Sequence, residues 1–308
     1  MPGFQKGITT LTDRQIQSWA ASAKQQVHQG QVNGRIPQLA QSDPAWFAVQ
    51  IENQQGCQFY LGDLDRTFPL MSVIKPFLLL FLLEYYSHDR VFEWVGREPS
   101  TAPFNSLAQL EADQGFPRNP MLNSGAIVLS EKLPGETSRD RCDALQTWLN
   151  RQAGCHLERD KLMLASVRSA GREPNQALAH SLQQAEHLTD PDITLDTYEQ
   201  ICCLAGRVAD LAQLGRLMAF AYRSIAQHHQ ETVNQIMQQC GLYEASADYA
   251  AQIGMPIKSG ISGALLTILP GQGVIACYSP ALDPTGNSIA GLRFVELLCL
   301  SLGSDRRN

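Results

Sequence analysis

The sequence predicts a mixed α/β (α+β) fold: an antiparallel sheet with flanking helices, built from both ends of the chain, plus an all-helical insert between them. Three observations carry this. A pair of apolar runs joined by a short glycine-bearing loop lies near each end, at residues 46–61 and 264–279, as in a β-hairpin. Helix-period spacing of apolar residues fills most of residues 75–250. Amphipathic helical segments open and close the chain outside the hairpins. The implied organisation is a discontinuous sheet domain from residues 1–74 and 251–308, a mainly helical domain from 75–250, and a site between them.

Taken in order, residues 13–29 place Ile16, Trp19, Ala20, Ala23 and Val27 on one helical face after Thr12, which suits an N-cap. The first hairpin joins residues 46–51 to 57–61 through Glu52-Asn53-Gln54-Gln55-Gly56. The run 77–83 is apolar throughout but far short of the roughly 20 residues of a membrane span, so it reads as a buried helix. Helical patterns continue over 141–152 and 197–226. The second hairpin joins Ala264–Leu269 to 274–279 through Pro270-Gly271-Gln272-Gly273. Residues 289–302 form the last helix, with Asn287 or Ser288 as cap and Gly303 as stop.

Composition narrows the function classes. The 308 residues are 44% hydrophobic and 18% charged, ordinary globular material. A formal net charge of -6 without a basic run argues against nucleic-acid or membrane-surface partners and for a small-molecule substrate. The start MPGFQKGITTLTDRQ lacks a charged segment followed by an apolar one, so a cytoplasmic protein is expected. Eight cysteines (Cys57, Cys142, Cys155, Cys202, Cys203, Cys240, Cys277 and Cys299) form no CxxC pair and read as buried thiols in a reducing compartment. The seven histidines include no HExxH, and neighbours His228 and His229 are poorly placed to share an ion. Neither a metal nor a cofactor is expected.

The sharpest local feature is Ser72-Val73-Ile74-Lys75, an SxxK just ahead of the apolar helix. Three residues of separation put both side chains on one face, so the lysine can reach the serine hydroxyl, and the helix start offers free N–H groups to an oxyanion. Pro76 is tolerated there: with Ser72 as N-cap, the bond lost is only the first of the helix. By itself SxxK is weak, because a capping serine and a snorkelling lysine give the same letters. A second element strengthens it. Lys258-Ser259-Gly260-Ile261 leads into the C-terminal hairpin and resembles the KTG or KSG edge strand of the penicillin-recognising serine enzymes, where it faces SxxK across a cleft.

Six further stretches occur in order: GRIPQLA from Gly34, GREPSTAPFNS from Gly96, NPMLNSGAI from Asn119, GLYEAS from Gly241, GMPIKSGISG from Gly254 and SPALDPTGNSIAG from Ser279. Through them the chain resembles the serine-dependent glutaminases over nearly its whole length. That resemblance implies a β-lactamase/DD-peptidase-like fold and hydrolysis of L-glutamine to L-glutamate and ammonia. It also implies a homodimer or homotetramer. Carried over by position, the family's nucleophile falls on Ser72 and its base on Lys75. Its substrate-contacting asparagines fall on Asn123 and Asn175, its tyrosines on Tyr198 and Tyr243, and the oxyanion N–H on Ile261. Lys258 is expected to line the same cleft. Packing or capping alone would also account for Tyr198, Tyr243, Asn123 and Asn175.

The chain departs from the pattern in places. Where the family carries a serine-glutamate pair whose glutamate contacts substrate, this chain reads Ser166-Val167, and the interval to Asn175 is one residue longer. Valine has no charge to set against an ammonium, and Glu173 is the nearby carboxylate that could replace it. Ala247 and Ser124 also differ from the family's glycine and alanine.

The implied mechanism has neutral Lys75 take the Ser72 proton while the N–H groups of Ser72 and Ile261 hold the oxyanion, and Tyr243 relays a proton to the leaving nitrogen. Neutrality near pH 7 requires the lysine pKa to fall by about 3 from roughly 10.4, about 4 kcal/mol, through burial and repulsion from Lys258. The alternatives are a related serine amidohydrolase acting on another amide or a lactam, and a catalytically weakened glutamine-binding homologue that lost its glutamate at Val167.

Overall fold

The computed structural model describes residues 7–170, 172–222 and 224–303. The first six residues of the chain start, and Gly171 within the interval from Val167 to Asn175, lie outside them, as does Arg223 within the 197–226 pattern.

The terminal hairpins join in one five-stranded antiparallel sheet of order β2-β1-β8-β7-β6. Its strands are β1 (Ala48–Asn53), β2 (Gly56–Gly62), β6 (Ile257–Ser259), β7 (Ala264–Leu269) and β8 (Gly273–Tyr278). Central β1, β7 and β8 are buried along their full length, and β2 forms a half-exposed edge. The first turn is tighter than the sequence suggests. Glu52 and Asn53 stay in β1, and Asn53 pairs with Gly56 across Gln54 and Gln55. The Arg216 guanidinium explains this, because it meets Glu52 Oε2 at 3.3 Å and the Asn53 carbonyl at 2.6 Å, so two polar residues remain satisfied inside the sheet.

One face of the sheet is covered by α1 (Asp13–Lys24) and α13 (Ile289–Ser301), with Phe294 against Trp19 and Phe47 at ring distances of 6.5 and 6.1 Å. Thr12 caps α1 through a capping box with Gln15, and Ser288 caps α13. The opening helix ends at Lys24, short of 29, and a 3-10 turn at Val27–Gln29 follows. The other face receives α10 (Val208–Ala219), where Gly215 lets the helix lie close: a Cβ there would fall 2.5 Å from Val274 Cγ1.

The middle of the chain supplies the remaining helices: α2 (Lys75–Tyr85), α3 (His88–Phe92), α4 (Leu107–Ala112), α5 (Asn123–Glu131), α6 (Ser138–Ala153), α7 (Lys161–Ser169), α8 (Glu173–Gln184), α9 (Pro191–Cys202), α11 (Gln227–Cys240) and α12 (Ser246–Gln252). As its composition suggests, α2 is the core of this group, buried from Lys75 through Leu83. Among the described residues no helix is long and apolar enough to cross a membrane.

The middle segment is not wholly helical. Its strands β4 (Glu158–Arg159) and β5 (Leu204–Gly206) join β3 (Phe68–Pro69), which precedes it in the chain, in a small antiparallel sheet of order β3-β5-β4. The helical pattern over 197–226 is therefore broken, with α9 ending at Cys202 and α10 starting at Val208. Gly206 sits so close to Leu157 and Asp210 that a Cβ would approach them to about 3 Å, while the Asp210 carboxylate accepts from the N–H groups of Arg207 and His156. Those contacts fix an extended turn where the apolar periodicity alone reads as helix.

Candidate active site

Ser72 lies on a 3-10 turn, Met71–Ile74, between β3 and α2. It is a member of this turn rather than an N-cap, and α2 begins at Lys75 with Pro76 in its first turn. A 3-10 turn eclipses side chains three apart, so Ser72 and Lys75 share one face. The turn is pinned by Leu70 N–H donating to the Leu204 carbonyl at 2.8 Å, so β5 sets the height of the serine. Met71, just before it, holds φ at +47° although its side chain is buried. Such strain persists only where the surroundings over-determine the backbone.

Strand β6 approaches from the sheet side. Gly260 is required there, because a Cβ would come 2.7 Å from the Leu70 carbonyl and 3.4 Å from Ser72 N. The close approach brings the Ile261 end of KSG beside the serine. Among the described residues the N–H groups of Ser72 and Ile261 have no hydrogen-bond partner. Two unused donors near one hydroxyl suit a developing oxyanion.

Lys75 is fully buried, and that burial lowers its pKa from 10.5 to about 7. Its Nζ donates to the Met121 carbonyl at 2.9 Å and to Asn123 Oδ1 at 2.7 Å. A neutral amine has two N–H bonds, which these acceptors consume, and one lone pair left over. Among the described residues a direct bond from Nζ to Ser72 Oγ is not formed. Lys258 is also fully buried, and burial first and Lys75 second push its pKa well below the usual lysine range. The repulsion expected to act on Lys75 thus falls on Lys258.

Asn123, the first residue of α5, joins the parts: its Oδ1 also accepts from the Tyr198 hydroxyl at 3.0 Å, and its Nδ2 donates to Asn175 Oδ1 at 2.9 Å. Tyr243 donates to the Ser259 carbonyl at 3.1 Å, and its phenol is in hydrogen-bond contact with the Ser72 side chain. Burial pushes its pKa up to about 12, so it remains a proton donor. Like Met71 it sits in the left-handed region, at φ +58°.

These groups surround a cavity of about 120 Å³ lined by Ser72, Asn123, Asn175, Tyr198 and Ile261, together with Asn33, Arg35, Ile36, Met71, Phe104, Val167, Glu199 and Cys202. Lys75 and Tyr243 stand directly behind it. Lys258, expected to line it, does not. Its Nζ turns onto the carbonyls of Gly241 and Ser259 at 3.0 and 2.7 Å and lies 4.3 Å from the Tyr243 ring centre, propping that tyrosine. Glu173 is exposed and is not part of the lining, because it points outward from the first turn of α8. A larger groove of about 590 Å³, lined among others by His156, Arg159, Asp160 and Asp210, lacks a nucleophile beside a neutral base. Among the described residues no three His, Cys, Asp or Glu side chains converge as metal ligands.

Sequence reasoning missed Glu199, Asn33, Arg35, Phe104 and Cys202. Phe104 and Arg35 lie inside the quoted stretches, which was a usable signal. Glu199 follows Tyr198 directly but gives no local sign that its side chain turns inward.

The glutaminase family model matches residues 30–305 of the chain. A protein named glutaminase from Synechocystis is 42% identical over 294 residues, covering 94% of this chain and 89% of that one. A glutaminase from Vibrio vulnificus is 34% identical, covering 90% and 93%. Among solved structures, one described as the probable glutaminase ybaS superposes with a TM-score of 0.87 at 30% identity, covering 95% of this chain and 98% of that one. A Bacillus glutaminase crystallised in 4.3 M NaCl gives 0.85 at 26% identity, covering 94% and 97%.

Proposed function

Because the chain belongs to the glutaminase family and is a glutaminase, hydrolysing L-glutamine to L-glutamate and ammonia, we propose that its reaction passes through a Ser72 ester with Lys75 as general base. The observation that carries this is the buried Lys75 amine on the face of Ser72, with its pKa near 7 and both N–H bonds consumed by fixed acceptors. Its lone pair is the remaining function, and a proton acceptor is what the serine hydroxyl needs.

In the first step Ser72 Oγ bonds to the amide carbon and its proton passes to Lys75 Nζ. Negative charge gathers on the carbonyl oxygen, to which the N–H groups of Ser72 and Ile261 donate. The carbon–nitrogen bond then breaks as the nitrogen takes a proton from Lys75, with the Tyr243 phenol as relay, and ammonia leaves. Water attacks the ester, Lys75 again takes the proton, and Oγ leaves to regain one. Asn123 holds Lys75 and Tyr198 in register, and with Asn175 it borders the cavity that receives the amino acid.

We take the site as the seam between two halves, residues 1–74 with 251–308 and residues 75–250. The lining supports this, since Met71, Ser72 and Ile261 come from the first and Asn123, Asn175 and Tyr198 from the second. A cytoplasmic location fits the seven buried free thiols. A homodimer or homotetramer completes the reading, and sedimentation equilibrium checks it.

Ammonia release from glutamine and asparagine, with ring opening of a lactam followed separately, tests the activity. Ser72→Ala should abolish turnover with the fold intact, and quenched wild-type enzyme should carry a γ-glutamyl group on Ser72. Retention of more than a few per cent of turnover by Ser72→Ala removes it from the nucleophile role.

A further inference from the structure

The cavity contains a carboxylate that the mechanism leaves unused. Glu199, on α9 beside Tyr198, is 2% exposed and borders the same space as Ser72, Asn123 and Asn175. Its Oε1 accepts from Arg172 Nε at 2.7 Å, while its Oε2 is buried with no hydrogen-bond partner among the described residues. A buried carboxylate oxygen left unpaired is costly, and a ligand that donates to it removes that cost. The charged residues lining the cavity are Glu199 and Arg35, of opposite sign. The position at which the glutaminase pattern has a glutamate is here Val167, which lines the cavity with an apolar side chain.

We propose that Glu199 supplies the counter-charge for the α-ammonium group of bound glutamine, its Oε2 accepting one ammonium proton from the helix that also carries Tyr198. The carboxylate has moved from α7, where Val167 now stands, to the neighbouring α9. Arg172, from the segment leading into α8, holds the other oxygen and fixes the direction of the free one. The valine leaves room beside it. This rests on the glutaminase reading and assigns the group in that site that selects an α-amino acid over a simple carboxylic amide.

The test compares glutamine with 4-carbamoylbutanoate, which is glutamine without its α-amino group. Wild-type kcat/KM should favour glutamine by roughly 10- to 150-fold, the ratio set by one charge-assisted hydrogen bond. Glu199→Gln should lower kcat/KM for glutamine by that factor more than for 4-carbamoylbutanoate, acting mainly through KM. Equal losses on both substrates make Glu199 a structural residue and overturn the proposal, as does a wild-type ratio near one. If Glu199→Gln does not fold, Glu199→Asp, which keeps the charge and retracts it by one methylene, is read in the same way. Absence of wild-type glutamine hydrolysis alongside turnover of another amide instead removes the glutaminase reading, and this proposal with it.

Discussion

The state of Lys75 carries the most chemistry, and its titration is directly measurable. Burial takes its pKa from 10.5 to about 7, a difference of roughly 5 kcal/mol in the cost of the ammonium form. At pH 7.5 an ordinary lysine is neutral about once in a thousand molecules, whereas Lys75 is mostly neutral, so burial raises the concentration of base by about three orders of magnitude. The assay is initial-rate ammonia release at low glutamine concentration, which reports kcat/KM and hence the free enzyme. Below about pH 7 the rate should fall tenfold per unit, and above it should level off. Lys75→Arg, permanently charged, should lose about a thousandfold or more at pH 7.5. A second readout comes from stability. The folded-state pKa of this base is depressed, so between about 7 and 10.5 the unfolded chain binds the extra proton, and this group adds up to about 1.4 kcal/mol of stability per pH unit as pH rises. Below about 7 both states are protonated and its contribution stays at the minimum. In urea titrations at pH 7 and 8.5, Lys75→Met should show a shallower pH slope than wild type. A rate profile flat down to about pH 5, or an acid limb centred near 10, refutes the assignment of Lys75 as a neutral base.

Three further outcomes are expected. Asn123→Asp puts a carboxylate on the acceptor that Nζ meets at 2.7 Å, so the acid limb of kcat/KM should move up by about 1–3 pH units. An unmoved limb separates Asn123 from the base. Tyr243→Phe removes the phenol beside Ser72 and should lower kcat about 100-fold or more with little change in KM, which steady-state kinetics on glutamine reads directly. Gly260→Ala forces a methyl to 2.7 Å from the Leu70 carbonyl, costing about 1–3 kcal/mol in urea unfolding and lowering kcat by displacing the Ser72 turn. Wild-type behaviour of that variant disproves the need for close approach.

Much of the fold was legible because its signals are local. Apolar runs joined by glycine-bearing loops, the KSG edge strand and capped amphipathic helices at both ends placed the five-stranded sheet and its covering helices. The errors fell where a long-range contact overrode a local pattern. Arg216, remote in sequence from the first hairpin, keeps Glu52 and Asn53 in a strand that ends in a tighter turn. The contacts of Gly206 and Asp210 turn an apparently helical stretch into β5.

The same division runs through the site. Sequence by itself determined the pairing of Ser72 with Lys75, since three residues of separation fix a shared face in one turn. It also marked KSG as the partner strand, and the ordered motifs marked the family. Only the tertiary structure decided which side chains face the cavity. Glu173 is adjacent in sequence to the site residues yet exposed on α8, whereas Glu199, on another helix, is buried against them with one oxygen free. Likewise Lys258 is turned away to support Tyr243. The physical reason is that a helix's sequence sets which residues share a face, but the direction of that face is set by the elements packed around it. Burial, desolvation and hydrogen-bond satisfaction, which tune Lys75 and strand Glu199 Oε2, exist only once those elements meet.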